Sequence, residues 1–581
     1  MSKVDVWDLK PLFKDKKTLL AQMQQTIQDS KDFEETYKGK LQNINSKDFQ
    51  SVIEKYEANY QAISQIMTYS FLLFASDTSH GAFYSQCELE CNKAQESLLF
   101  FELEFNSLGD TKKQEIIKSS PKYSYYLELL MQYSKFQLSL LEEKVLLKVR
   151  PAGSELFSRL FDEHFSKLKF KFDNKLLSEE EVLSLLYSKD RKIRKKASIS
   201  LSKTLKDNID LLTYILNAIR KDLKITKELR GYESLEHSRH ISNQTTQKSV
   251  DCMVDTINEN VKIVEEYYKI KSKILKIKNL QDYDRYAPIP SKDNTEFDYI
   301  TSKTLVLETF QGFSNKFYKI AKEAFENGWI DSHPRDRKRG GAFSHGATPN
   351  AHPYLMLNHT NQRRDIFTMA HELGHTIHQK LSYSVGYLNA DTPLTTAETA
   401  SVFAEMLLFD KLKNQISDDE KISLYAGKLE DIFATLFRQN VFTNFERRIH
   451  NKEGELSSDE ISNIWQEENQ KMFGDSLKLS DNYKLWWSYI PHFIHSPFYC
   501  YAYSYGQLLV MALFGLYKQN KDDFIPKYER FLSLGGSKSP KELVEIFGFD
   551  IEDRDFWKIG IKEVKDMLDE LKTIINKGKT C

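Results

Sequence analysis

Residues 368–379, TMAHELGHTIHQ, place two histidines four apart with a glutamate directly after the first. On a helix, His371 and His375 project from one face about one turn apart. That separation suits two imidazole ligands on one tetrahedral Zn2+. Glu372 flanks the same face. A carboxylate there can take a proton from a zinc-bound water and later deliver it to a leaving amine. With 14 His in the chain, chance supplies roughly 0.02 strings of the form His-Glu-x-x-His, so a metal site is the expected reading.

The flanking stretch DIFTMAHELGHTIHQKL (365–381) has helical periodicity, with Ile366, Phe367, Met369, Ala370, Leu373 and Ile377 as its apolar positions and no Pro to interrupt it. Gly374 costs such a helix about 1 kcal/mol against Ala. Close approach of another backbone would account for it. A catalytic zinc takes three protein ligands and keeps one open position, so one ligand must come from elsewhere. The next helix is expected near LTTAETASVFAEMLLFD (394–410). Its Glu398 and Glu405 lie seven apart and face the same way within about 20°. Thr395 and Glu398 also have the spacing of a capping box, and Glu405 has the option of an ordinary surface position. On these residues alone the third ligand is open between Glu398 and Glu405.

The elements that must hold these groups are mostly helices. The 581 residues include only 22 Gly and 13 Pro, about half the usual share, alongside abundant Lys, Glu and Leu. Residues 14 to about 230 read as successive amphipathic helices, of which SLLEEKVLLKV (139–149) is a sample. YDRYAPIPSKDN (283–294) is a Pro-containing break, and 329–361 is the least helical region. A boundary near 195 is expected to separate an N-terminal helical domain (1–195) from a catalytic domain (196–581).

Charge and cysteine content narrow the setting. A net charge of -1 from 82 cations and 83 anions gives no case for nucleic acid. Five cysteines at 87, 91, 252, 500 and 581 form no disulfide framework, which points to a reducing compartment and hence the cytoplasm. Cys87 and Cys91 read as buried thiols. The N-terminus lacks the apolar region of a signal peptide, and the longest apolar run, LLVMALFGLY (508–517), is too short to span a bilayer. No membrane partner is expected.

Two further stretches carry candidate chemistry. His492 is followed by tyrosines at 499, 501, 503 and 505, where about 0.4 would be expected in seven residues. A phenol or imidazole donor can stabilise the oxyanion that forms when a carbonyl is attacked. The alternation of the tyrosines favours a strand, whereas on a helix Tyr499 and Tyr503 share a face. GGAFSHG (340–346) before PYLMLNH lacks the Lys-Ser/Thr ending of a phosphate loop. It reads better as a glycine-rich turn beside a short edge strand, in which Gly341, Ala342 and Phe343 could pair with the backbone of an extended peptide.

Taken together, NHTNQRRDIFTMAHELGHTIHQ and AETASVFAE resemble oligoendopeptidase F, in the thimet-oligopeptidase-like group of zinc metallopeptidases. VWDLKPLF, LRGYESLEHSRH (229–240), KRGGAFSHG (338–346) and IPHFIHSPFYCYAYSYGQ (490–507) extend the resemblance over almost the whole chain. It implies a mostly α, bowl- or clam-like two-lobed fold with a small β-sheet beside the zinc and a deep substrate channel. It implies one Zn2+ per chain on His371, His375 and Glu398, with Glu372 as base. Glu405 then holds a ligand histidine in its tautomer, and His378 is a packed neighbour. The family places the tyrosine segment entering a helix. His492, Tyr499 and Tyr503 are the expected oxyanion donors, and Tyr501 is left undecided. The expected activity is cleavage of internal bonds in short unstructured peptides, through a zinc-bound water activated by Glu372. A carboxypeptidase of related fold and a peptide-binding protein with a vestigial zinc site are the alternatives. Oligomeric state is not legible.

Overall fold

The computed structural model describes residues 5–290 and 296–577. The last part of the 283–294 break and Cys581 lie outside the described residues. Helices account for 72 % of the structure and the sheets are small, as the scarcity of Gly and Pro requires. The chain forms two compact units that interleave along the sequence. One comprises Met1–Lys135, Asn294–Asn414 and Leu516–Phe549, and the other Phe136–Asp293, Gln415–Gly515 and Asp550–Cys581. Residue 195, where the sequence places a domain boundary, falls within the helix Arg191–Asp207 of the second unit.

The first unit begins with helices α1 (Lys16–Tyr37), α2 (Phe49–Ser76) and α3 (Gly81–Ser107). Asp15 starts α1 by accepting the Thr18 N–H. The three helices enclose a core in which Leu19, Met23, Phe33, Phe49, Ile53, Leu98 and Phe101 are buried. Tyr56 stacks on Phe101 with centroids 4.2 Å apart. Cys87 and Cys91 are buried free thiols of the same core. The opening segment is tied down by Trp7, whose indole N–H donates to the Leu355 carbonyl at 2.8 Å.

Three short strands follow: β1 (Ile330–Asp331), β2 (Phe343–His345) and β3 (Tyr354–Met356). Their order is β1-β3-β2, with β3 parallel to β1 and antiparallel to β2. PYLMLNH therefore supplies the buried central strand, and GGAFSHG supplies the edge. Ser344 fastens that edge to the next helix, its hydroxyl 2.9 Å from Thr376 Oγ1 and its carbonyl accepting from Gln379 Nε2 at 3.1 Å.

That helix is α4 (Arg363–Ser382), which carries the His-Glu-x-x-His string. Its start is fixed by a capping box between Gln362 and Asp365. Burial would raise the Asp365 pKa, but the N–H groups of Gln362 and Thr360 and the Thr360 hydroxyl hold it below the usual carboxylate range. Ile366, Met369, Ala370, Leu373 and Ile377 are buried, which leaves His371 and His375 half-buried on another face. Helix α5 (Thr399–Leu412) packs on α4. A Cβ on Gly374 would lie 2.5 Å from the Ala400 carbonyl oxygen and 2.6 Å from the Ser401 Cα. Only glycine permits this contact, because the opposing atoms are backbone.

In the second unit, α6 (Arg438–His450) continues a π-helical turn, Phe433–Phe437. Ser504 of α7 (Tyr501–Gln519) donates its hydroxyl to the Leu436 carbonyl within that turn at 2.8 Å. Buried Asp284 pairs with buried Arg194 at 2.9 Å and with the exposed Arg191 at 2.7 Å. The apolar run 508–517 lies inside α7, and among the described residues no helix is long and apolar enough to cross a membrane.

Substituting Gly374→Ala should test the α4–α5 contact. The helix-propensity gain of about 1 kcal/mol is opposed by overpacking of about 1–3 kcal/mol or more. Both the melting temperature and divalent-metal affinity should fall. A variant with the melting temperature and metal affinity of the parent would show that the contact does not constrain the helices.

Candidate metal centre

The close α4–α5 contact sets the position of Glu398. This residue lies between the short helix Leu394–Ala397 and α5, with φ −88° and ψ 5°. Its carboxylate caps neither helix. Its Oε2 lies 3.4 Å from His371 Nε2 and 3.3 Å from His375 Nε2, and it accepts the Ser401 hydroxyl at 2.6 Å. Among the described residues, these three form the sole cluster of His, Cys, Asp or Glu able to hold a metal ion. Two donor atoms about 2.05 Å from an ion at the tetrahedral angle stand about 3.3 Å apart. Both distances from the Glu398 carboxylate to the imidazoles meet that requirement, and all three donor atoms lie within 4.8 Å of one another.

Glu405 sits two turns further along α5. Its Oε1 accepts from His371 Nδ1 at 2.6 Å, which puts the proton on Nδ1 and leaves the Nε2 lone pair facing Glu398. Burial on its own would lower the His371 pKa, but the Glu405 bond and charge bring it above the ordinary value. Glu398 is also desolvated, yet His375 and His371 hold its carboxyl down at about 2. Glu372 shifts the other way. Burial raises its carboxyl above the usual range, and the negative charges of Glu398 and Glu405 add to that effect. Burial pushes His378 down to about 3, and it stands outside the three-residue cluster.

These groups border a cavity of about 570 Å³ that also reaches Ala342, Phe343 and Ser344 of the sheet edge and Asp391 and Thr392 of a loop. The pleat determines which edge groups face outward. The Leu355 and Leu357 N–H groups donate to Trp329 and Asp331 on the β1 side. Tyr354 and Met356 therefore turn their backbone groups toward β2, where they oppose His345 and Phe343. The Phe343 backbone is thus committed to the sheet. The outward-facing positions are Ala342 and Ser344, and the Gly341 carbonyl already accepts from Asn358 Nδ2 at 2.8 Å. Period-two alternation in the sequence could have indicated Ser344 only if the pairing partner had been known.

His492, Tyr499 and Tyr503 belong to the second unit, where they form a group of their own. His492 Nε2 is 3.3 Å from the Tyr503 hydroxyl. The His492 ring centroid lies 5.8 Å from Tyr499 and 5.7 Å from Tyr503, and the two tyrosines are 5.2 Å apart. Burial, with Arg438 and His495 nearby, lowers the His492 pKa. Helix α7 starts at Tyr501, so this segment is not the strand its alternation favours. Tyr501 and Tyr505 are fully buried. The Tyr501 hydroxyl meets His240 Nδ1 and Asn243 Nδ2, each at 2.9 Å, and that of Tyr505 meets Ser249 Oγ at 2.9 Å. These two phenols support the packing. His495 pairs with Asp162 at 2.8 Å. Just before Tyr499, Phe498 has a left-handed φ of 58°, and its N–H donates to buried Glu446 at 2.7 Å.

Comparison with known proteins gives a consistent picture. Residues 184–563 match the family described as peptidase family M3, and residues 104–170 match the one described as oligopeptidase F. An oligoendopeptidase F homolog of Borreliella burgdorferi is 27 % identical over 98 % of each chain. Oligopeptidase PepF of Bacillus subtilis is 28 % identical over 94 % of this chain and 83 % of its own. The crystal structure of oligoendopeptidase-F from Enterococcus faecium superposes with a TM-score of 0.70 at 21 % identity, covering 97 % of this chain and 99 % of that one. A crystal structure from Chlamydophila abortus gives 0.88 at 23 % identity and 98 % coverage of each chain.

Replacing Glu405 by Gln should lower divalent-metal affinity about 10- to 100-fold, because the amide no longer demands the proton on His371 Nδ1. Titration against a competing chelator gives the affinity. Unchanged affinity would mean that Glu405 does not set the tautomer.

Proposed function

This chain belongs to peptidase family M3, and from that premise we propose that it is a zinc-dependent oligoendopeptidase acting within short unstructured peptides. Hydrolysis of peptide bonds follows from the family and from the oligopeptidases it resembles. The reading of zinc rests on the donor set, two imidazole nitrogens and one carboxylate oxygen within 4.8 Å of one another. His371, His375 and Glu398 would hold the ion. Bound there, Zn2+ would act as a Lewis acid on water and on the scissile carbonyl.

The chain's own groups divide the remaining work. Glu372 is the proposed base. Its raised pKa suits a carboxylate that accepts the attacking water's proton and passes it to the departing amine. The cavity wall offers the outward backbone groups of Ala342 and the Ser344 N–H to an extended peptide, the Ser344 carbonyl being taken by Gln379 Nε2. Such pairing reads few side chains and suits broad specificity. His492 and Tyr503, with Tyr499 beside them, are the proposed donors to the oxyanion. The support is the resemblance and the fact that Tyr501 and Tyr505 spend their hydroxyls in the core. Action in the cytoplasm is proposed because the four described cysteines are free.

A pool of unstructured peptides, roughly five to thirty residues long, with a folded protein added, tests the reading by mass spectrometry of products. Internal cuts in the shorter peptides, with the folded protein intact, are expected. Stepwise loss of C-terminal residues would replace the reading with a carboxypeptidase, and intact peptides with a peptide-binding protein. Glu372→Gln should keep its metal and lose nearly all turnover. Turnover near wild type at full metal content would remove Glu372 as base.

The tyrosines separate by readout. Tyr503→Phe should lower kcat about 10²- to 10³-fold with little change in KM. Tyr501→Phe should act mainly on the melting temperature. A wild-type kcat in the Tyr503 variant would take that phenol out of the reaction.

A further inference from the structure

Asp391 lines the same cavity as His371, Glu372, His375 and Glu398, and nothing in the chemistry above uses it. Its carboxylate makes no ion pair or hydrogen bond with any described residue. It has no local structural role either. It follows the short helix Tyr387–Ala390, and the next helical turn starts from Pro393 without a side-chain cap. Solvent reaches the side chain, yet the crowding of the cavity walls raises its carboxyl above the ordinary range.

The backbone carrying this carboxylate is held tightly. Gly536 donates its N–H to the Asn389 carbonyl at 2.8 Å. A Cβ on Gly536 would lie 1.9 Å from the Asp391 carbonyl oxygen, and one on Gly535, whose φ is 49°, would lie 2.9 Å from that of Ala390. Asn389 also donates its side-chain N–H to the Lys122 carbonyl at 2.9 Å. Two glycines and a buried asparagine thus fix a loop that borders the cavity and ends in a carboxylate without a counter-ion.

We propose that Asp391 is a specificity-determining residue: it forms a subsite for a cationic group of the peptide, an ammonium or guanidinium. An unpaired carboxylate in a concave, partly desolvated wall attracts cations and repels acidic side chains. Its Coulomb energy is larger there than on an open surface and lacks the offset of an internal partner. The same chemistry would accept a Lys or Arg side chain or the peptide's α-ammonium. The inference rests on the peptidase reading for the nature of its ligand.

The test uses binding, so that it does not depend on turnover. Metal-loaded full-length protein carrying Glu372→Gln is titrated with fluorescent peptides matched in length, bearing Lys, norleucine or Glu at one varied position, each with free or acetylated N-terminus. Lys should bind about fivefold tighter than norleucine, and Glu weaker than either. If the α-ammonium is the ligand, acetylation should have the effect instead. Adding Asp391→Asn should bring the ratios toward one, and Asp391→Lys should invert the order of Lys and Glu. Equal affinity for all peptides, or a cation preference that survives both substitutions, would overturn the proposal. In parallel, the protein with native Glu372 is offered the same peptides. If it binds with these preferences but cuts none, the peptidase reading fails and the cation subsite stands.

Discussion

The candidate metal cluster depends on one contact between two stretches of main chain. At Gly374 the backbone of α5 comes so near α4 that a Cβ would sit 2.5 Å from a carbonyl oxygen. Ala400 and Ser401, the residues touched, follow Glu398 by two and three positions. Close packing at Gly374 therefore puts the Glu398 carboxylate beside Nε2 of both histidines. Seven residues on, the same helix face brings Glu405 to the far nitrogen of His371. One short interhelical distance thus fixes a proposed ligand and the proton position on another. The opposite side of α4 is fastened to the sheet edge through Ser344, Thr376 and Gln379, so the helix that carries the histidines is held from two directions.

Within this frame the environment separates two neighbouring carboxylates. Glu398 has two imidazoles and a hydroxyl around it and stays ionised. Glu372, one residue from a histidine but enclosed by protein, is shifted toward the neutral form. The ligand role proposed for Glu398 and the base role proposed for Glu372 need opposite shifts. Identical functional groups acquire them from partners and burial alone.

The sequence carried much of this because the decisive spacings are local. His371 and His375 at i and i+4, and Glu398 and Glu405 at i and i+7, follow from helix geometry whatever the rest of the chain does. The choice between the two glutamates did not, since it depends on how far α5 is displaced along α4. Gly374 signalled a close approach without naming its partner. The alternating tyrosines were ambiguous by pattern: a period of two favours a strand, whereas the resemblance places them entering a helix, and packing against His240, Asn243 and Ser249 accompanies a helix from Tyr501. The identity of the edge strand was equally hidden. Strands of two or three residues carry almost no periodicity, and their neighbours are set by long-range pairing. Asp391 had no signal, because its meaning lies in Gly535 and Gly536, nearly 150 residues away.

Interleaving of the two units has a consequence for how the protein is made. Segments of the first unit emerge from the ribosome separated by segments of the second, and its last piece ends at Phe549. At about 5–20 residues per second, synthesis of the stretch from Glu405 to Phe549 takes roughly 7 to 30 seconds. A nascent chain that has passed Glu405 already contains every side chain of the metal cluster. It still lacks the glycine turn that supports the 389–391 loop. Translation that stops early therefore yields fragments that carry the candidate ligands but lack part of the cavity wall. Trimming either half away removes chain from both units, because each draws segments from both halves of the sequence.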